Sequence, residues 1–427
     1  MQTLGREHAH LPPAGAELRG ERRLRAEGDR ITEHEHPRVE RRDLARERRA
    51  LCRRGPGTER EETHERQHTP EDDVDGTLPA LSGNEELPGL DRARVDTWLQ
   101  DHVEPAEPPF AYSLVAAGGS NLTYRVTDAA GNAWALRRPP VTAVLATAHD
   151  MDREWRILAA LTREGSVPVP APLARCDDAD VTGGPFYVMD FVDGKILRTE
   201  ADGAALGPDD TARATASLVD VQVALHALDP ATVGLGDLGR PGSYVERQLH
   251  RWKTQVERAK VRELPLLDDL HERLARTAPP AGDASLAHGD YRFDNTVLGP
   301  DHRIRAVLDW ELCTTGDAVA DFAWSLLYWA DPGDPCPFLQ SSPTLAPGFE
   351  RRATIADRYA AVSGRDLSRL GWFTVFGYWK MACIVEGVHA RRLRGARGGA
   401  TGGDPASIAA RADALLAHSA DVATGVV

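Results

Sequence analysis

The 427-residue sequence is almost without lysine: among 51 basic residues, only Lys195, Lys253, Lys260 and Lys380 are not arginine. A side chain that is to stay positively charged at neutral pH before position 195 must therefore be arginine, whose planar guanidinium differs in geometry from an ammonium. Positive charge is also short overall, with 65 acidic residues and a formal net charge of −14. That balance suits a phosphate backbone poorly, so nucleic acid is not an expected partner. No apolar run reaches about eighteen residues, so no membrane span is expected. The five cysteines, Cys52, Cys176, Cys313, Cys336 and Cys383, are scattered, odd in number and without metal-ligand spacing. The N-terminus shows no apolar signal-like stretch, and its arginines are matched by acids. The expected compartment is a reducing cytoplasm.

What is present is enough apolar residue, 41%, for a chain of more than one domain. Residues 1–82 stand apart. Segments such as "ERRLRAEGDR" and "VERRDLARERRALCRRG" carry dense mixed charge and few apolar residues. They cannot bury enough surface to offset the entropy of ordering, so a disordered extension is expected. Residues 86–192 read as a small sheet-plus-helix unit. "YSLVAAGGSNLTYRVTDAAGNAWALRRP" gives strand, glycine loop, strand, a turn at Ala130-Gly131-Asn132, and strand. An amphipathic helix is predicted over 149–165 and an apolar strand within "FYVMDFVDG", 186–194. Residues 193–427 turn helical, with helices expected over 209–229 and 243–260 and several beyond 320. The expected fold class is α+β: a small β-rich lobe, a larger helical lobe and a cleft between them.

One polar stretch interrupts the helical part. "LAHGDYRFDNTVL", 286–298, crowds His288, Asp290, Arg292, Asp294 and Asn295 between apolar ends, a costly arrangement unless the groups are paired or used. It leads through "TVL", the turn-forming "GPDH" and the apolar "RIRAVLDW" to Asp309. In an antiparallel hairpin, the residue entering the first strand and the residue leaving the second share the open end. Asn295 and Asp309 should therefore be neighbours, with Asp290 on the adjoining loop. Two carboxylates and an amide oxygen make a hard-oxygen cluster suited to Mg²⁺.

"HGDYRFDN" followed by "VLDWE" resembles the active-site signature of the aminoglycoside phosphotransferase and choline kinase-like family, whose fold is protein-kinase-like. The resemblance implies that Asp290 is the catalytic carboxylate facing the attacking hydroxyl. It makes Asn295 and Asp309 the Mg²⁺ ligands. His288 is implied to be a packing residue, and Asp317 and Asp321 loop and cap residues. Upstream, Gly118, Gly119 and Ser120 occupy the place of the nucleotide loop. "WALRRPP" stands where the phosphate-pairing lysine is expected, so Arg137, or second Arg138, must replace it. Glu154 matches its acidic partner. In "VMDFVDG", Met189 matches the back of the adenine pocket, and the backbones of Asp190 and Val192 match the hinge.

Several segments, "GGSNLTYRV", "LRRPP" and "VLDWELCTTGDAVADFAW" among them, resemble the branch found fused to acyl-CoA dehydrogenases. The implied activity is ATP- and Mg²⁺-dependent phosphorylation of a small-molecule hydroxyl, with a hydroxyacyl-CoA as the acceptor. Arg247, Arg251 and Lys253, on the helix predicted over 243–260, could border an anionic acceptor. Two alternatives stand beside this reading. One is an aminoglycoside or other small-molecule kinase. The other is a non-catalytic nucleotide-binding regulator, suggested by the absent lysine.

Overall fold

The computed structural model describes residues 87–117, 121–141, 144–239, 243–334, 336, 338, 341–395 and 404–427. The N-terminal extension expected over 1–82 and the loop with Gly118, Gly119 and Ser120 lie outside the described residues.

After helix α1 (Arg92–His102), strands β1 (Ala111–Ala117), β2 (Leu122–Thr127) and β3 (Ala133–Arg138) form a meander. Helix α2 (Val144–Glu164) follows, then β4 (Pro172–Cys176), the short α3 (Ala179–Thr182) and β5 (Phe186–Asp190). The five strands make one antiparallel sheet in the order β1-β2-β3-β5-β4. Period-two alternation decides what each face sees. Trp134 and Leu136 of β3, with Phe186 and Val188 of β5, pack in a core with Trp98 and Leu99 of α1. Ala135, Tyr187 and Met189 turn the other way, into a core with Met151, Ile157, Leu158 and Leu161 of α2. Arg137 shares this second face and Arg138 the first.

The larger part begins with α4 (Glu200–Ala204), α5 (Pro208–Ala227), α6 (Tyr244–Ala259) and α7 (Pro265–Arg276). Two short antiparallel pairs come next. Strand β6 (Ala284–Ala287) pairs with β9 (Thr314–Asp317), and β7 (Thr296–Leu298) with β8 (Ile304–Val307). Helices α8 (Ala318–Tyr328), α9 (Arg352–Ser363), α10 (Leu370–Leu393) and α11 (Pro405–Ala423) complete it. A core from α6, α7, α8, α10 and α11 includes Leu249, Leu270, Trp324, Phe373, Trp379 and Leu415. The expected helices and the hairpin are present. Two differences stand out: α2 begins five residues before the predicted 149, and β4 is an additional strand. No helix among the described residues is long and apolar enough to cross a membrane.

Candidate active site

The hairpin does what its pattern requires. Thr296 pairs with Val307, and the Leu308 N–H donates to the Asn295 carbonyl at 2.8 Å, closing the open end. Asn295, on the 3₁₀ turn Phe293–Asn295, donates its Nδ2 to both the carbonyl and Oδ2 of Asp290, each at 2.8 Å. Asp309 follows β8 with φ +63°, a left-handed conformation that non-glycine residues seldom take. The turn sends its carboxylate across to the sheet, where Oδ1 accepts from Arg137 Nη2 at 3.0 Å.

A second layer fixes the loop. Asp321, buried in the first turn of α8, accepts from the N–H groups of His288 at 3.1 Å and Gly289 at 2.8 Å. Its other partner is His226 Nε2, at 3.0 Å. Burial pushes the Asp321 carboxyl up, but the His226 bond and charge outweigh it and hold it below the usual range. Asp321 is therefore more than a cap: it anchors the loop backbone. Asp317 does cap α8, accepting from the N–H of Val319 at 2.9 Å. His288 is fully buried; its Nε2 contacts the Leu308 carbonyl at 2.9 Å and its ring packs on Trp310. Gly289 has φ +85°, and a Cβ there would come within 2.9 Å of Leu312, so glycine is required.

From the other side, Arg137 meets Glu154 of α2, Nε to Oε2 at 2.7 Å. Glu154 is 2% exposed and also accepts from Asn121 at 3.1 Å and the Tyr187 hydroxyl at 2.8 Å. Burial works against the guanidinium's charge, but Glu154, Tyr187 and Asp309 outweigh it and raise its pKa. Arg138 does not share this role. Strand alternation turns it to the α1 side, where it is 1% exposed and bonded to the carbonyls of Pro139, Gly89 and Thr182.

Two cavities meet at these residues. The first, about 300 Å³, lies between sheet and hairpin and is lined by Arg137, Glu154, Met189, Asn295 and Asp309, with Arg198 and Arg292. Met189 thus borders it. Asp190 commits its N–H to the Ala171 carbonyl at 2.9 Å, so a base contact at that residue would fall to its carbonyl. Neither Asp190 nor Val192 is among the lining residues. The second cavity, about 650 Å³, opens on the other side of Asp290 and is lined by Tyr244, Gln248, Arg251, Trp252, Tyr328 and Lys380, among others.

The acceptor-side expectation needs correction. Of Arg247, Arg251 and Lys253, only Arg251 lines the second cavity. Tyr244, Gln248, Arg251 and Trp252 fall on one helical face, whereas Lys253 lies about 200° round from Arg251 at 100° per residue. Lys253 is ion-paired with Glu257 at 3.2 Å and with Asp268 of α7. Arg292 lines the first cavity and Lys380 the second, although no sequence pattern assigns either a role there. Lys380 sits inside an apolar helix where the stripe draws attention, and Arg292 inside the motif.

The donor chemistry fits a divalent cation. The Asn295 nitrogen is engaged with Asp290, which leaves Oδ1 as an oxygen ligand, and Asp309 lines the same cavity. Mg²⁺ typically uses one or two protein ligands and fills its shell with water and phosphate oxygens.

Comparison with known proteins gives the family and the fold. Residues 111–370 match the model of the phosphotransferase enzyme family. Acyl-CoA dehydrogenase family member 11 of Gallus gallus is 36% identical over 301 residues, which is 68% of this chain and 38% of that protein. The chain thus spans less than half the length of that relative. A solved protein of Ralstonia eutropha JMP134, described as a candidate aminoglycoside phosphotransferase, is 27% identical with a TM-score of 0.66. The match covers 78% of this chain and 98% of that one. The GDP complex of aminoglycoside 2'-phosphotransferase-IIIa covers 78% of this chain and 99% of its own at TM-score 0.52 and 16% identity, a likeness of fold. A kinase-like sheet lobe, a helical lobe and a family match over more than half of its length place the chain in the phosphotransferase enzyme family.

Proposed function

We propose that this chain transfers the γ-phosphoryl group of ATP, with Mg²⁺, to a hydroxyl group of a small molecule. One observation carries the reading: the Asn295–Asp290 hydrogen bond joins two cavities, one lined by oxygen ligands and the part-buried Arg137, the other by the Asp290 carboxylate, whose Oδ2 also faces Arg292 Nε at 3.4 Å. The nucleotide would occupy the first cavity, with Arg137 on its phosphates and Met189 behind its base. Asn295 and Asp309 would hold Mg²⁺, which neutralises charge on the phosphates when bound. Asp290 orients the acceptor hydroxyl and takes its proton. Glu154 holds Arg137 in place, and Asp321 fixes the loop, so the site relies on preset positions rather than on covalent chemistry.

For the acceptor, the reading is a hydroxyacyl-CoA. Similarity to a protein named for acyl-CoA substrates supports it, as does Arg251 at the rim of the second cavity. A cationic aminoglycoside would meet Arg153, Arg251 and Lys380 there, against Asp290 and Glu311, a poor match for several positive charges. The test is ADP release from Mg²⁺–ATP in the presence of hydroxyacyl-CoAs, sugars, choline and aminoglycosides. Asp290→Ala should lower turnover by roughly 10²–10⁴, the range for a lost general base. Unchanged turnover in that variant would contradict the assignment.

A further inference from the structure

In the second cavity, Lys380 is charged, half-buried and without a counter-ion. Its Nζ lies 3.5 Å from the ring centroid of Trp324 on α8 and 5.7 Å from that of Trp252 on α6. Arg251 approaches the same Trp252 ring at 5.3 Å. Among the described residues, Lys380 makes no ion pair and donates no hydrogen bond, whereas Lys253 and Lys260 both pair with carboxylates. Burial, helped by the charge of Arg251, pushes the ammonium down to about 8, against the pull of Asp321 and Asp290. Two indole faces hold a cation by their quadrupoles but accept none of its N–H bonds. Leucine or methionine would fill this space without the desolvation penalty that a charge incurs. Packing alone therefore does not account for the lysine.

We propose that Lys380, held between Trp252 and Trp324, recognises an anionic group, carboxylate or phosphate, on the phosphoryl acceptor. The proposal rests on the kinase reading, because it is Asp290 in the same cavity that makes this the acceptor's side. An anionic oxygen supplies the acceptor atoms that the ammonium lacks. A cationic acceptor meets Lys380 and Arg251 together and is disfavoured. Lys380 thereby selects the acceptor, while the proton passes to Asp290.

The scarcity of lysine makes the test direct. Reductive ¹³C-methylation of the full chain labels the four lysines and the chain's amino terminus, and the Lys380 signal is the one missing from both Lys380→Met and Lys380→Arg. The probes are 3-hydroxybutyrate, glycerol 3-phosphate, 3-hydroxybutyryl-CoA, the neutral 3-hydroxybutyramide and kanamycin. The expected result is a saturable shift of the Lys380 signal with at least one anionic probe and none with the amide or kanamycin. A response to the carboxylate identifies that group; a response to the phosphate or CoA probe alone identifies phosphate. For a phosphorylated anionic acceptor, Lys380→Met should raise KM on the order of 10–100-fold with little change in kcat, and Lys380→Arg should recover part of the loss. A Lys380 signal unmoved by every anion overturns the proposal, as does an unchanged KM in Lys380→Met. A shift without any phosphorylation supports the anion site and counts against the kinase reading. Phosphorylation without a shift does the reverse.

Discussion

Asn295 is bonded to Asp290 through its amide nitrogen, twice, at 2.8 Å to the carbonyl and 2.8 Å to the carboxylate. The two residues therefore act as one unit: the bond aims the Asp290 carboxylate and frees the Asn295 oxygen for a cation. Asn295→Asp replaces the donor with a second carboxylate, which repels Asp290. The expected outcome is a fall in kcat on the order of 10²-fold, as for other lost preorganising bonds. Steady-state kinetics check it.

Arg137 and Arg138 are adjacent but face opposite sides of the sheet, and their variants should separate. Arg137→Met leaves the buried Glu154 carboxylate unpaired, so stability should fall by about 3–5 kcal/mol in urea unfolding and KM for ATP should rise. Arg138→Met removes bonds to three backbone carbonyls and should lower stability while KM for ATP stays near wild type.

Gly289→Ala tests the loop anchored by Asp321. The added methyl meets Leu312 at 2.9 Å from a left-handed backbone, a strain of about 1–3 kcal/mol. The loop should shift, and turnover should drop more than the unfolding free energy accounts for.

Lys380 gives the acceptor affinity a pH dependence. An anion binds the protonated ammonium, so affinity should be level below pH 8 and fall as pH rises through about 8, approaching tenfold per unit. The other groups facing it or its cavity are Asp290, Asp321, Glu311, Arg153, Arg251, Tyr244 and Tyr328. Burial raises the pKa of both tyrosines far above this range. In Lys380→Arg the decline between pH 7.5 and about 9.5 should disappear, since arginine stays charged. Measurement of KM against pH in both proteins decides it.

How much of this was legible beforehand varied with the range of the interaction. The hairpin was readable because its period, its "GPDH" turn and its polar ends agree, and those fix the Asn295–Asp309 neighbourhood. The position of Glu154 was also written locally: it stands three residues after Met151, four before Leu158 and seven before Leu161, within the buried stripe of α2. Strand β4 was not, because "PLARC" is an edge strand with no clean alternation of burial. The anchoring of His288 and Gly289 by Asp321 spans more than thirty residues and leaves no local pattern. The division of work along α6 could have been read from 100° per residue, which separates Arg251 from Lys253.

The central claim is that Asp309 and Asn295 hold a cation that carries the nucleotide. The direct measurement is calorimetric titration of ATP with and without Mg²⁺ into wild type and Asp309→Asn, a change that removes the charge but tolerates the left-handed backbone. The account predicts a Mg²⁺-dependent gain of at least about tenfold in wild type, lost in the variant. An equal gain in both proteins would contradict it.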